Sequence, residues 1–302
     1  MIDARRGMFI ALALCAAGCT EDETKGPALD AAIDVTATDV RDAAITETAP
    51  RDVTTTVTDA GAIDAGDVDA GCATLRLPGF ACVGSVRWGT PTATTAMHRV
   101  SLVDLQTTEG VVGAHVRACA YDDRECASPY SEGDTDDDAG VALTYPLGDA
   151  GFSGYYEVTG AGLTPTLIFV TPPEINERQN PIYRVVSQSD FNLLSVVARA
   201  SLDPMTGYLA AELEGCDQHG AAGLSIGVAP MAEGATRFHF QRMLPNTAAT
   251  ETDITGIAGV FNLPPREYTV TSSIAACELP IATARVFTRA GWLSSLGLQP
   301  TP

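Results

Sequence analysis

The sequence predicts an all-β protein in which two tandem β-sandwich domains follow a disordered acidic linker. Three observations carry that expectation. Strand-length apolar stretches are punctuated by Gly, Pro and Asp instead of showing helical periodicity. The texture changes at Cys72, before which the chain is low-complexity. One set of motifs also occurs twice in the same order, as a duplicated unit would.

The 302-residue chain carries 18 Lys and Arg against 38 Asp and Glu, a net charge of -20. Nucleic-acid binding and attachment to anionic lipid both require clustered basic residues, so neither fits. Lys25 is the only lysine. A hydrophobic content of 45% is enough for a packed core.

Arg5 and Arg6 precede an apolar run, Met8 to Ala17, which suits the h-region of an export signal and is too short to span a bilayer. It ends in Ala16-Ala17-Gly18-Cys19. This string resembles the bacterial lipobox, which implies a lipoprotein signal peptide over residues 1–18 and diacylation of Cys19. Thr20, not Asp, follows the cysteine, which by resemblance to sorted lipoproteins favours the outer membrane. Ordinary signal cleavage beside an unmodified cysteine is the competing reading.

Residues 19–72 form the expected linker. Thr20 to Gly71 holds 13 acidic and 3 basic residues and no aromatic, so half of the net charge resides there. Such a segment buries too little apolar surface to offset its ordering entropy, and it reads as an extended spacer. Beyond it, Met97–Thr107, Ala114–Ala118, Val141–Tyr145 and Thr166–Thr171 read as strands of a first sandwich, residues 73–172. Tyr208–Leu213, Leu224–Val228, Arg237–Phe240, Tyr268–Thr271 and Ile281–Thr288 read as strands of a second, residues 207–302. Ser189-Asp190 would cap a short helix, Phe191 to Ala200, in the connector 173–206, with Pro204 stopping it.

The repeat has three anchors. Gly110-Val-Val-Gly113-Ala-His-Val116 matches Gly220-Ala-Ala-Gly223-Leu-Ser-Ile226; Thr135-Asp136 with Gly140 matches Thr252-Asp253 with Gly256; Tyr156-Glu-Val158-Thr159 matches Tyr268-Thr-Val270-Thr271. Asp and Gly suit the turn, because Asp can bond its own backbone and Gly tolerates positive φ. These strings, each a Thr-Asp turn, an apolar strand, a Pro turn and a Tyr-x-Val-Thr strand, resemble the carboxypeptidase regulatory-like domain. That resemblance implies two transthyretin-like seven-stranded sandwiches serving as accessory, surface or binding modules, and it does not imply peptidase activity.

The search for chemistry is largely negative. His98, His115, His219 and His239 begin no metalloprotease motif. Gly223-Leu-Ser225-Ile-Gly227 matches the nucleophile string of a serine hydrolase, but that string requires a strand-to-helix elbow, and the repeat places Ser225 within a strand. Asp134, Asp136 and Asp138 have the alternation of a calcium loop without its glycine and glutamate, leaving only a loose site in a solvated turn. Trp88, Trp292 and Tyr155-Tyr156 could stack on sugar, though in a sandwich such residues usually fill the core. Neither catalytic residues nor cofactors are expected.

Six cysteines remain after Cys15 and Cys19: Cys72, Cys82, Cys119, Cys126, Cys216 and Cys277. In an exported chain they suggest three disulfides. Proximity and domain assignment favour Cys72–Cys82, Cys119–Cys126 and Cys216–Cys277. The expected function is that of a non-catalytic, lipid-anchored envelope protein displaying two modules for surface binding or scaffolding, its partner an envelope protein or a glycan. A carbohydrate-binding module and a hydrolase using Ser225 are the alternatives.

Overall fold

The computed structural model describes residues 78–175 and 181–301. All of them fall in one compact unit, Ala62–Pro302. The expectations for the signal peptide, Cys19, the linker and Cys72 lie outside the described residues.

After a 3-10 turn at Pro78–Phe80, the chain forms β1 (Thr95–Asp104), β2 (His115–Ala120), β3 (Ser131–Asp134), β4 (Gly140–Pro146), β5 (Gly154–Thr159), β6 (Thr166–Phe169) and β7 (Ile182–Val185). Helix α1 (Gln188–Val197) follows, and then β8 (Gly207–Leu213), β9 (Leu224–Ala229), β10 (Thr236–Gln241), β11 (Leu244–Asn246), β12 (Ile257–Leu263), β13 (Glu267–Ile274), β14 (Leu279–Phe287) and β15 (Leu293–Leu298). Among the described residues the protein is all-β apart from α1 and the 3-10 turn. The stretch read as a connector also supplies β7, which pairs in parallel with β1. The helix begins three residues earlier than expected, at Gln188 instead of Phe191: Ser187, not Ser189, is the cap and accepts the Asp190 amide at 3.0 Å.

The duplication is visible in the sheets. In the first repeat the order β4-β1-β7 stands against β6-β5-β2-β3; in the second, β12-β8-β15 stands against β14-β13-β9, with the β10–β11 hairpin added outside β12. β1–β7 and β8–β15 are both parallel pairs, and the other pairings within each repeat are antiparallel. A buried threonine explains why Thr-Asp recurs. Thr135 Oγ1 donates to Val111 O (2.7 Å) and accepts from Ala114 N (3.0 Å), while Thr252 Oγ1 donates to Ala221 O (2.6 Å) and accepts from Leu224 N (3.1 Å). Each hydroxyl satisfies two main-chain groups where the strand leaves its ladder. The glycine alignment shifts by one residue: Ala139 O and Gly256 O accept the equivalent amides of Leu102 and Leu213, and both residues have positive φ, 57° and 67°. Only Gly takes that conformation without steric cost.

The two repeats share a sheet. β6 pairs in parallel with β15, Leu293 opposite Thr166 through Leu296 opposite Phe169, making one nine-stranded sheet in the order β11-β10-β12-β8-β15-β6-β5-β2-β3. This sheet is the middle layer. Ile168, Tyr156, Val158, Val116 and Ala118 face the core under β4-β1-β7, whereas Leu167, Phe169, Tyr155 and Cys119 face the core that Ile226, Val270, Val286 and Phe287 complete. Phe191 and Leu194 of α1 cover a third cluster with Tyr208, Phe238, Phe240 and Phe261. β6 is consequently buried along its whole length, as a strand covered on both faces must be.

Candidate functional site

A disulfide and ion pairs tie the repeats together. Cys119–Cys126 forms as expected. Cys82 instead pairs with Cys216, joining residues 134 apart, so the expected Cys72–Cys82 and Cys216–Cys277 bonds are both replaced. Cys277 is also disulfide-bonded. The correction has a simple cause: domain assignment favoured bonds within a module, whereas the repeats lie against one another. Glu157 on β5 is buried between Arg117 of its own repeat and Arg289 of the other, with Arg117 Nε at 3.0 Å from Oε1 and Arg289 Nη1 bonded to Oε2. Arg289 also donates to Tyr155 Oη at 2.9 Å and lies over the rings of Tyr155, Phe287 and Trp292. Burial pushes the Tyr155 phenol up to about 12, against the opposing pull of Arg289.

The residues singled out for chemistry are occupied structurally. Ser225 lies within β9 with its hydroxyl 3.5 Å from Ser273 O, so there is no nucleophile elbow. His239 is buried on β10 with Nδ1 2.9 Å from Ala249 O, and burial holds its pKa below the ordinary value. Asp136 takes Arg99 through both carboxylate oxygens at 2.7 Å, as well as the Asp138 and Gly140 amides, and these bonds, the Arg99 contact foremost, lower its pKa. Asp134 is 2.8 Å from His115 Nδ1, while His219 sits exposed in the turn before β9. Among the described residues, no group of three or more His, Cys, Asp or Glu side chains could hold a metal ion.

A buried polar cluster that sequence reasoning missed lies inside the first repeat. Glu174 Oε2 is 3.0 Å from His98 Nδ1 and accepts the Tyr145 hydroxyl; Tyr156 donates to Tyr145 Oη at 2.9 Å, and Tyr183 Oη lies 3.4 Å from Glu174 Oε1. Burial pushes the Tyr145 and Tyr156 phenols far above their usual range, so both remain donors. The only sequence signal was a histidine at an inward-facing position of a strand.

The cluster backs onto the surface where the repeats meet. There Thr171-Pro172-Pro173 forms a ridge between grooves. One, of about 400 Å³, is lined by Arg87, Trp88, Pro172, Gln218 and Gln299. A second, of about 470 Å³, shares Trp88, Pro172 and Gln299 and adds Tyr121, Phe169 and Arg285. Of the aromatics considered for stacking, Tyr155 and Tyr156 are buried and Trp292 is half-buried, whereas Trp88 is 41% exposed. The four do not form an exposed line. No helix among the described residues is long and apolar enough to cross a membrane.

No family model matches the sequence, and no curated protein matches it. Solved structures with similarity include the TIE protein of Bacillus anthracis, at 13% identity over 69% of this chain with a TM-score of 0.24. This chain spans 34% of that protein's length. The shaft pilin SpaA of Lactobacillus rhamnosus GG matches at 11% identity over 71% of this chain and 99% of its own, TM-score 0.23. The minor pilin GBS52 of Streptococcus agalactiae matches at 10% identity over 70% and 97%, TM-score 0.20. Scores this low carry no argument, and the fold rests on the strand pairing described above.

Proposed function

We propose that the chain is a lipid-anchored protein of the cell envelope, held at the outer membrane through Cys19, that displays its two fused β-sandwich repeats as a non-catalytic binding or scaffolding surface. The observation that carries this reading is the oxidised state of every described cysteine, Cys82, Cys119, Cys126, Cys216 and Cys277, behind an export-type N-terminus. Structural disulfides belong to oxidising compartments. The engagement of Ser225, His239 and Asp136 in structural hydrogen bonds supports a binding role over a catalytic one. The seven strands of the first repeat and the shared Thr-Asp hub support its relation to transthyretin-like modules.

Diacylation would supply stable attachment, because each buried CH₂ contributes about 0.8 kcal/mol and two chains exceed the marginal hold of one. Residues 20–71 would then set the reach of the repeats from the membrane. Cys19→Ala should move the protein from the membrane to the soluble fraction with its disulfides unchanged. A Cys19→Ala protein that remains membrane-bound after a salt wash, or a wild-type N-terminal peptide without lipid mass, would defeat the proposal.

A further inference from the structure

The paired grooves around Trp88 have a chemistry distinct from the rest of the molecule. On a chain with net charge -20, the charged residues lining them are Arg87, Arg285 and Glu174. Glu174 is buried and turns its carboxylate inward to His98 and Tyr145, and Arg285 is engaged by Glu267. Arg87, whose Nη1 donates to Val86 O, has no acidic partner among the described residues. Among the described residues its charge lines the groove without an ion-pair partner, on a protein of opposite overall sign.

Beside it, Trp88 lines both grooves, and so do Pro172, Pro173 and Gln299, with Gln218 on the far wall of the first. The two amide side chains make no hydrogen bond among the described residues, which leaves each with a carbonyl acceptor and an NH₂ donor to offer. An exposed indole presents a flat apolar face with an N–H at its edge. The loop is anchored by the Cys82–Cys216 disulfide on one side, and Gly89 packs so closely on Ile175 that a Cβ there would come within 2.8 Å of Ile175 Cδ1. The Trp88 loop is thereby held against the ridge, and each groove volume, about 400 and 470 Å³, lies in the range of small-ligand sites, about 300–1,000 Å³.

We infer that this junction binds an acidic oligosaccharide, with a sugar ring stacked on Trp88, its hydroxyls shared between Gln218 and Gln299, and a uronate carboxylate on Arg87. The inference deepens the display reading above and rests on it for the ligand's access to the grooves. A sugar offers what the site asks for: an apolar C–H face for the indole, hydroxyls that donate and accept for the amides, and a planar carboxylate matching the guanidinium fork. A neutral sugar would leave the Arg87 charge unmatched. An acidic peptide would match the charge but lacks a rigid C–H face surrounded by hydroxyls.

The chain has two tryptophans, so a full-length Trp292→Phe variant makes Trp88 the sole indole reporter. A galacturonate oligomer should shift and quench that emission saturably, and a neutral malto-oligosaccharide of equal length should bind at least about tenfold more weakly, since a hydrogen bond to a charged group contributes about 1.5–3 kcal/mol. Calorimetry on otherwise wild-type protein should show Trp88→Ala abolishing binding and Arg87→Gln removing the preference for the acidic oligomer. Absence of saturable binding, equal affinity for the neutral oligomer or for poly-glutamate, or undiminished binding by Trp88→Ala would each overturn the inference. None of these outcomes bears on whether Cys19→Ala releases the protein from the membrane, so the two proposals fail separately.

Discussion

Replacing Arg289 with Met tests whether the two repeats form one thermodynamic body. Arg289 belongs to the second repeat, yet its guanidinium is bonded to Glu157 and Tyr155 of the first and to the Arg124 main chain. Its side chain is 12% exposed and that of Glu157 is 6% exposed, so screening by solvent is slight. Removing one partner of a buried pair costs about 3–5 kcal/mol, mostly because the other charge is left behind. Arg117 still neutralises Oε1 of Glu157, which places the loss near the lower end. Met retains the stem's contact with the rings of Tyr155, Phe287 and Trp292 but gives up the cation–π attraction, a further loss of about 1 kcal/mol. Arg289→Met should therefore destabilise by about 4 kcal/mol, lowering the melting temperature by roughly 10 °C for a unit of this size. Urea unfolding followed by circular dichroism should show a lower midpoint in a single transition, since the repeats share a core. In Glu157→Gln/Arg289→Met the losses should add to less than the sum of the single variants, because the orphaned charge is gone. A loss below about 1 kcal/mol, additivity in the double variant, or two separated transitions would refute the argument.

Further outcomes follow from the same structure. Cys82→Ser/Cys216→Ser should lose up to about 5 kcal/mol in denaturant unfolding on the chain-entropy model for the 134-residue separation, and non-reducing peptide mapping should recover a Cys82–Cys216 peptide pair. Thr135→Val and Thr252→Val keep the side-chain shape but leave two buried main-chain groups unbonded, so each should cost about 2–4 kcal/mol in the same assay. The folded protein favours neutral His239, whose pKa burial lowers, so the unfolded state binds more protons; stability should fall as pH drops below the unfolded value of about 6.5. His239→Gln should flatten that part of the pH profile relative to wild type, and an unchanged slope would contradict the assignment.

Much of the fold was legible because local chemistry and burial agree. Alternation in Ala114-His-Val-Arg-Ala118 correctly places Ala114, Val116 and Ala118 in the core and His115 and Arg117 outward. The Thr-Asp strings signal the repeat because the same hydroxyl performs the same two bonds in both copies. The joint between the repeats was not legible. Leu293-Ser-Ser-Leu-Gly-Leu298 is too rich in Ser and Gly to read as a strand by propensity, and becomes β15 only because two parallel partners supply its hydrogen bonds. The uninterrupted apolar run Leu167 to Val170 did carry a signal of burial on both faces, but a periodicity argument does not say what covers the second face. The cysteine pairing failed for the same reason, and the junction site draws on it: Trp88, Gln218 and Gln299 lie far apart in sequence and meet where the Cys82–Cys216 bond and the pairing of β15 bring the chain together.

The joint between the repeats also decides which sheet edges need protection. It pairs two different edges, β6 of the first repeat with β15 of the second, and such a heterologous contact leaves the counterpart edges, β7 and β14, without a further strand partner among the described residues. Unprotected edges of this kind invite further strand addition. β7 is only four residues long, with Arg184 drawn to Glu212 at 2.9 Å. On β14 the C-terminal segment bonds across the edge, Thr301 N to Ile281 O at 2.8 Å, and Arg285 projects beside it, paired to Glu267. Length limits one edge, while the chain end and a charge guard the other. The second repeat adds the β10–β11 hairpin outside β12, where the equivalent β4 is an outer strand ending in Pro146. What distinguishes the copies is therefore concentrated at their edges, while the Thr-Asp hub and the central strands, which any such sandwich needs, remain alike.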